Sequence, residues 1–175
     1  METHSSRLGL RLRVAFIGIS ILGAALLRAE ESGLSIAYDG KTTVFAGTEL
    51  SMLPHQEVTT FDGHDKKNHV YSGVPVKDLL ARAGLPFGEK LRGKYMQLAV
   101  LAHCRDHYDV VFALAEFDDA FNARTILLVD KQDGQSLGDG LAPFRLVVPG
   151  DKRPARWAHM VTSLEVVPVG NVVGR

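Results

Sequence analysis

The stretch from Ala142 to Val167, APFRLVVPGDKRPARWAHMVTSLEVV, constrains the fold of this chain more than any other. An apolar run of Phe144, Leu146, Val147 and Val148 stops at Pro149-Gly150, and a second β-branched run closes the stretch. Apolar, β-branched runs bounded by Pro and Gly read as buried strands. The stretch therefore predicts two strands flanking a cationic corner made of Lys152, Arg153 and Arg156 beside Trp157. A guanidinium suits planar, bidentate recognition of phosphate or carboxylate, and a neighbouring aromatic can stack on it, so the corner is a candidate anion site. The same cations also suit pairing with local acids such as Asp151, which would make the corner a structural turn.

The bulk properties limit the alternatives. A chain of 175 residues with 46% hydrophobic content is long enough for one domain with a proper core. Lys+Arg and Asp+Glu both total 20, so the formal net charge is zero. No long-range positive field and no basic stripe with interleaved aromatics argue for nucleic acid, and that class is set aside. The single cysteine, Cys104, cannot close a disulfide within the chain or build a multi-thiolate metal site by itself.

The first 29 residues read as an address. Arg7, Arg11 and Arg13 make a positive leader, and Val14 to Leu27 is an apolar run suited to a signal peptide and short for a membrane span. The expectation is export by the general secretory route, since Arg11-Leu12-Arg13 is not a twin-arginine pair. The protein would be periplasmic or secreted, and the only membrane contact would be an uncleaved N-terminal anchor.

The domain is then expected over residues 30–175. Leu34–Tyr38 and Thr42–Phe45 flank Asp39-Gly40, a tight hairpin signal. Thr48 reads as the cap of a short helical turn that Pro54 stops, Val58–Phe61 as a strand, and Asp62–Asn68 as a polar loop. Pro75 opens a helix with Val76, Leu79, Leu80 and Ala83 on its apolar face, and Gly84 ends it. Tyr95–Leu101, Asp109–Leu114 and Thr125–Val129 read as strands, with a helical turn near Ala115–Phe121 and a turn at Asp133-Gly134. Strands outnumber helices, which predicts an α+β domain with a mixed, strand-rich sheet and few short helices.

Three further constellations bear on chemistry. Cys104, within His103-Cys104-Arg105-Asp106-His107, could be a reactive thiol or metal ligand, but reads first as a buried inert thiol. His64 and His69 could join His103 or His107 around a metal, against the simpler reading of solvated loop histidines. The acidic trio Glu116, Asp118 and Asp119 reads as a solvated face. No nucleophile elbow, phosphate loop or dinucleotide fingerprint is present, so an enzyme reading must borrow a cofactor.

Two blocks resemble a known family. Val147-Val148-Pro149-Gly150 followed by Arg153-Pro154-Ala155-Arg156-Trp157 is similar to the closing segment of the molybdopterin-dependent oxidoreductase domain, the catalytic domain of sulfite oxidases. Tyr71-Ser72-Gly73-Val74-Pro75-Val76-Lys77-Asp78-Leu79-Leu80 is similar to that family's aromatic-x-Gly-x-Pro block, and the two lie in family order. The resemblance implies a sulfite-oxidase catalytic-domain-like fold and a molybdopterin cofactor. It offers Arg153 and Arg156 as anion contacts, with Trp157 as packing neighbour and Lys152 alongside. It also implies a metal-ligating cysteine before the aromatic-x-Gly-x-Pro block. That place falls near Phe61, and there is no cysteine from Leu34 to His103. The expected function is accordingly an exported ligand- or partner-binding module of the cell envelope, without molybdenum, recognising a small anion or an envelope protein. The enzyme alternative is a genuine molybdopterin-dependent oxidoreductase of the sulfite oxidase type, and the second alternative a histidine-based metal protein.

Overall fold

A computed structural model describes residues 33–170; the expected leader lies outside them. Ten strands form two five-stranded sheets. The first contains β1 (Leu34–Tyr38), β2 (Lys41–Phe45), β5 (Leu98–Cys104), β6 (Asp109–Ala113) and β10 (Val161–Pro168), in the order β2-β1-β10-β5-β6. The second contains β3 (Gln56–Asp62), β4 (Lys67–Pro75), β7 (Leu127–Gln132), β8 (Gln135–Ser136) and β9 (Arg145–Val147). Its path is β3-β4-β7-β8, and β9 also pairs with β7. The β1–β10 ladder is parallel and the other ladders are antiparallel. Two helices, α1 (Gly47–Met52) and α2 (Val76–Arg82), complete the α+β architecture. No helix among the described residues is long and apolar enough to cross a membrane.

Local chemistry explains much of this. Asp39 and Gly40 have φ of 49° and 72°, the left-handed pair that a two-residue hairpin needs. Helix α2 buries Val76, Leu79 and Leu80, and after Ala83 the chain turns at Gly84, whose φ is +94°. The Leu85 N–H then donates to the Leu80 carbonyl at 3.1 Å, closing the helix end. One continuous core joins Leu34, Ile36, Val100 and Leu164 of the first sheet to Tyr71, Leu128 and Leu146 of the second.

Several expectations shift. Thr48 is not a cap: the helix starts at Gly47 with Ala46 in the cap position and no side-chain cap bond, so Thr48 lies inside the first turn. Of the expected loop Asp62–Asn68 only residues 63–66 form a tight turn, its ends lying in β3 and β4, because the Asp62 carboxylate accepts the His64 N–H at 2.8 Å and the Asp62 carbonyl accepts the Lys66 N–H at 2.8 Å. Strand β5 starts at Leu98, since Gly93 at φ 58° opens a 3-10 turn over Gly93–Gln97. The two runs of the Ala142–Val167 stretch are strands, but β9 belongs to one sheet and β10 to the other, so the corner bridges the sheets.

Candidate functional site

The corner is built on Trp157. Its indole is buried and donates from Nε1 to the Val148 carbonyl at 3.0 Å, tying the end of the 3-10 turn Pro154–Arg156 back to the end of β9. The Tyr71 ring meets it edge-on at 5.7 Å and 89°. Arg145 completes the group, with its guanidinium 5.4 Å from the Tyr71 ring centre and 5.3 Å from that of Trp157.

Arg145 is only 3% exposed, yet it carries a full charge. Its Nη2 donates to Asp62 Oδ2 at 2.8 Å and its Nη1 to the Tyr71 hydroxyl at 3.2 Å, while Tyr71 Oη donates to the same Asp62 oxygen at 2.8 Å. The Arg145 Nε–H is buried without a protein acceptor. Burial raises the pKa of Asp62, but the His64 N–H, the Tyr71 hydroxyl and Arg145 outweigh it and hold the carboxyl below its usual range. Burial first, and the bond to Asp62 second, push the Tyr71 phenol well above its usual value. His159 lines a small hollow of about 240 Å³ beneath the corner with Asp106, Tyr108 and Trp157. Burial, then Arg145 and His64, lower its pKa, so its neutral form is favoured.

Arg156 makes three charge-assisted bonds. Nε and Nη2 reach the two oxygens of Asp151 at 2.9 and 3.0 Å, and Nη1 reaches Glu116 Oε2 at 2.7 Å. The guanidinium also lies 5.1 Å from the centre of the Phe112 ring. Its planar fork is thus filled by the protein's own carboxylates, and its pKa is raised by the Asp151 bond first. Lys152 and Arg153 are exposed, and the nearby acids Asp151 and Glu116 pair with Arg156 instead. Arg124 adds a bond from Nη1 to the Pro149 carbonyl at 3.3 Å.

Of the acidic trio only Asp119 is exposed as a solvated face would be. Asp118 is 1% exposed and accepts backbone N–H groups of Ala120 and Gly88, with Lys77 at 3.5 Å. Asp119 accepts from Lys77 at 2.8 Å, and Glu116 serves both Arg156 and the Ala113 N–H. These acids pair largely with residues distant in sequence, which periodicity does not register. Arg145 is hidden from sequence reading in the same way, inside an apolar run.

The histidines are dispersed. His64 is exposed in the β3–β4 turn, and His107 sits in the β5–β6 turn at φ 66°. His103 lies 3.0 Å from Asp109 and 3.4 Å from Glu165. Among the described residues no group of three or more His, Cys, Asp or Glu is arranged to hold a metal. Cys104 is buried in β5, and burial, with Asp106 and Asp109 adding to it, pushes its thiol up to about 11. Such a thiol carries little thiolate at neutral pH.

His69 clamps two turns together, with Nδ1 2.6 Å from Asp133 and Nε2 2.7 Å from Asp65. The bonds to Asp133 and then Asp65 raise its pKa. A raised folded-state pKa means that the clamp's stabilisation is fully present below the unfolded value of about 6.5 and is lost as pH rises through the folded one. The stability difference between the native protein and His69→Gln, measured by thermal melting at a series of pH values, should be largest in acid and shrink towards alkaline pH.

With this geometry, the likenesses to known proteins define the class. Residues 42–170 match the sequence model of the oxidoreductase molybdopterin binding domain, and the chain belongs to that family. Among solved structures it is similar to the sulfane dehydrogenase SoxCD from Paracoccus pantotrophus, with a TM-score of 0.60 and 21% identity. The match covers 79% of this chain and 38% of that one, so the chain spans well under half of this structural relative. No curated protein matches. The expected sulfite-oxidase-like α+β fold is the one observed.

Proposed function

We propose that this molybdopterin-binding-type domain is an exported binding module of the cell envelope that works without thiolate-ligated molybdenum. The observation that carries the reading is the donor set. Phe61, at the place where the family resemblance expects a ligating cysteine, offers no lone pair and is 53% exposed on β3. The neighbouring Asp62 is committed to Arg145 and Tyr71. Cys104 is packed in the other sheet with its thiol form favoured. A soft thiolate is what such a centre requires, so the residues present do not fit a sulfite-oxidase-type metal site.

The ligand in this reading is a small anion or an acidic envelope partner, met by the exposed Lys152 and Arg153. Arg156 and Trp157 hold the corner's backbone in place. Exposed charges contribute up to about 1 kcal/mol each, so binding is weak and falls with salt.

Elemental analysis of protein purified from its native compartment, with phosphate titrations of the native protein and Lys152→Ala/Arg153→Ala, tests the reading. The expected result is no stoichiometric molybdenum and phosphate binding that the double variant loses. Stoichiometric molybdenum that disappears in Cys104→Ser would establish the oxidoreductase alternative instead.

A further inference from the structure

A second and larger concavity opens at the seam between the two sheets. It has a volume of about 930 Å³ and gathers Arg105 from the turn after β5, the start of β10 at Thr162, β7 at Asp130, and the segment carrying Leu137, Asp139 and Pro143. This is within the range of roughly 300–1,000 Å³ typical of small-molecule sites. Asp130 and Arg145 occupy adjacent ladder positions on β7 and β9, because Val129, not Asp130, is the register partner of Arg145. In the β4–β7 ladder Gly73 pairs with Val129 and Ser72 with Lys131, so Asp130 is the extra residue of a β-bulge, and it lines the cleft.

The polar groups here differ from those of the corner. There, Arg145 and Arg156 are filled by internal carboxylates. Here, Arg105 is exposed and, among the described residues, no ion pair or side-chain hydrogen bond involves it or Asp139. Asp130 has one side-chain contact, Oδ2 to His55 Nε2 at 3.2 Å; its Oδ1 is buried without a protein donor, and the side chain as a whole is 24% exposed. A carboxylate can accept about four hydrogen bonds and a guanidinium can donate five, so Arg105, Asp139 and the exposed edge of Asp130 keep capacity for a ligand. Charged groups of opposite sign thus line one cavity, whose remaining wall includes the apolar Leu137 and Pro143. Two carboxylates against one guanidinium leave the lining net negative.

We propose that the seam cleft binds a small molecule carrying a primary ammonium and an apolar body. The ammonium is held by the Asp130 carboxylate, the body lies against Leu137 and Pro143, and Arg105 accepts a carboxylate where the ligand has one. The shared chemistry is the ammonium. Its source is either a free amine or a zwitterionic α-amino acid. This site is separate from the basic corner and does not rest on the anion reading.

Isothermal titration of the full chain with isopentylamine, leucine and isopentanol tests this, using Asp130→Asn, Arg105→Ala and Arg153→Ala. Saturable binding of an ammonium ligand is expected at millimolar levels or tighter, with isopentanol inactive, a loss of roughly ten-fold or more in Asp130→Asn, and no change in Arg153→Ala. Leucine binding that Arg105→Ala selectively weakens identifies an amino acid as the ligand; equal binding of leucine and isopentylamine identifies a free amine. Asp130 is part-exposed and Asn keeps its shape, and a melting curve for each variant checks the fold. Absence of saturable binding up to about 10 mM, equal affinity in folded Asp130→Asn, or equal binding of isopentanol would overturn the proposal. Failure of phosphate to bind at the corner would leave it standing.

Discussion

Replacing Arg145 with Ala, or Asp62 with Ala, is expected to destabilise the domain by about 3–5 kcal/mol, because each substitution leaves the opposite charge buried and unpaired. Arg145 is 3% exposed and Asp62 4%, so neither can recover its lost partner from bulk water without opening the structure. Urea denaturation measures the loss. A double replacement, Asp62→Leu with Arg145→Met, removes both charges while keeping apolar volume and should cost much less than the sum of the single changes. Additive losses would show that the pair is not coupled. The pH dependence follows from Asp62, whose folded-state pKa is depressed. Its contribution is present above the unfolded carboxylate value and lost as pH falls through the lower folded value. The acid limb of the stability curve should therefore flatten in Arg145→Met.

Gly73→Ala is expected to be comparably damaging for a steric reason. A Cβ at Gly73 would lie 2.6 Å from Val129 Cα and overlap the Leu128 carbonyl oxygen, both part of the β7 backbone. Backbone in the middle of a paired strand cannot swing aside as a flexible side chain can. Gly73 also sits where the β4–β7 register shifts, between Ser72 and Gly73, so displacement there would disturb the ladder that carries Tyr71. The expected loss exceeds about 3 kcal/mol, the range of severe overpacking. Gly40→Ala is a useful contrast: nothing lies within 4 Å of its Cβ, and only the positive φ of 72° opposes the substitution. Thermal melting of both variants should show a much smaller shift for Gly40→Ala.

Legibility in the residues divides along a physical line. Features encoded within a few neighbours can be read directly, including the Asp39-Gly40 hairpin, the apolar face of α2 and the buried Trp157 at the corner. Partnerships across the fold cannot. Arg145 reads as an interruption of an apolar run, and only the arrival of Asp62 from β3 and the rings of Tyr71 and Trp157 makes its burial tolerable. Glu116 reads as one of three surface acids until Arg156, forty positions away, is brought against it. Of the two carboxylates that fill the fork of Arg156, Asp151 is near enough in sequence to be named as a partner, whereas Glu116 is not. The seam cleft is assembled from the turn after β5, from β7 and β10 and from a loop, and no local pattern marks that convergence.

Strand β10 bears on how the molecule comes into being. It lies between β1 and β5, pairing in parallel with one and antiparallel with the other, yet it follows every other described strand in the chain. Before β10 arrives, β1–β2 and β5–β6 are two hairpins with nothing between them, each marginal in water. Joining them requires closure of a loop that spans almost the entire domain, a slow step for which the chain gains little until the final ladder forms. The first sheet is therefore complete only once Val161–Pro168 is in place, and without it the inner edges of β1 and β5 have no strand to unite them.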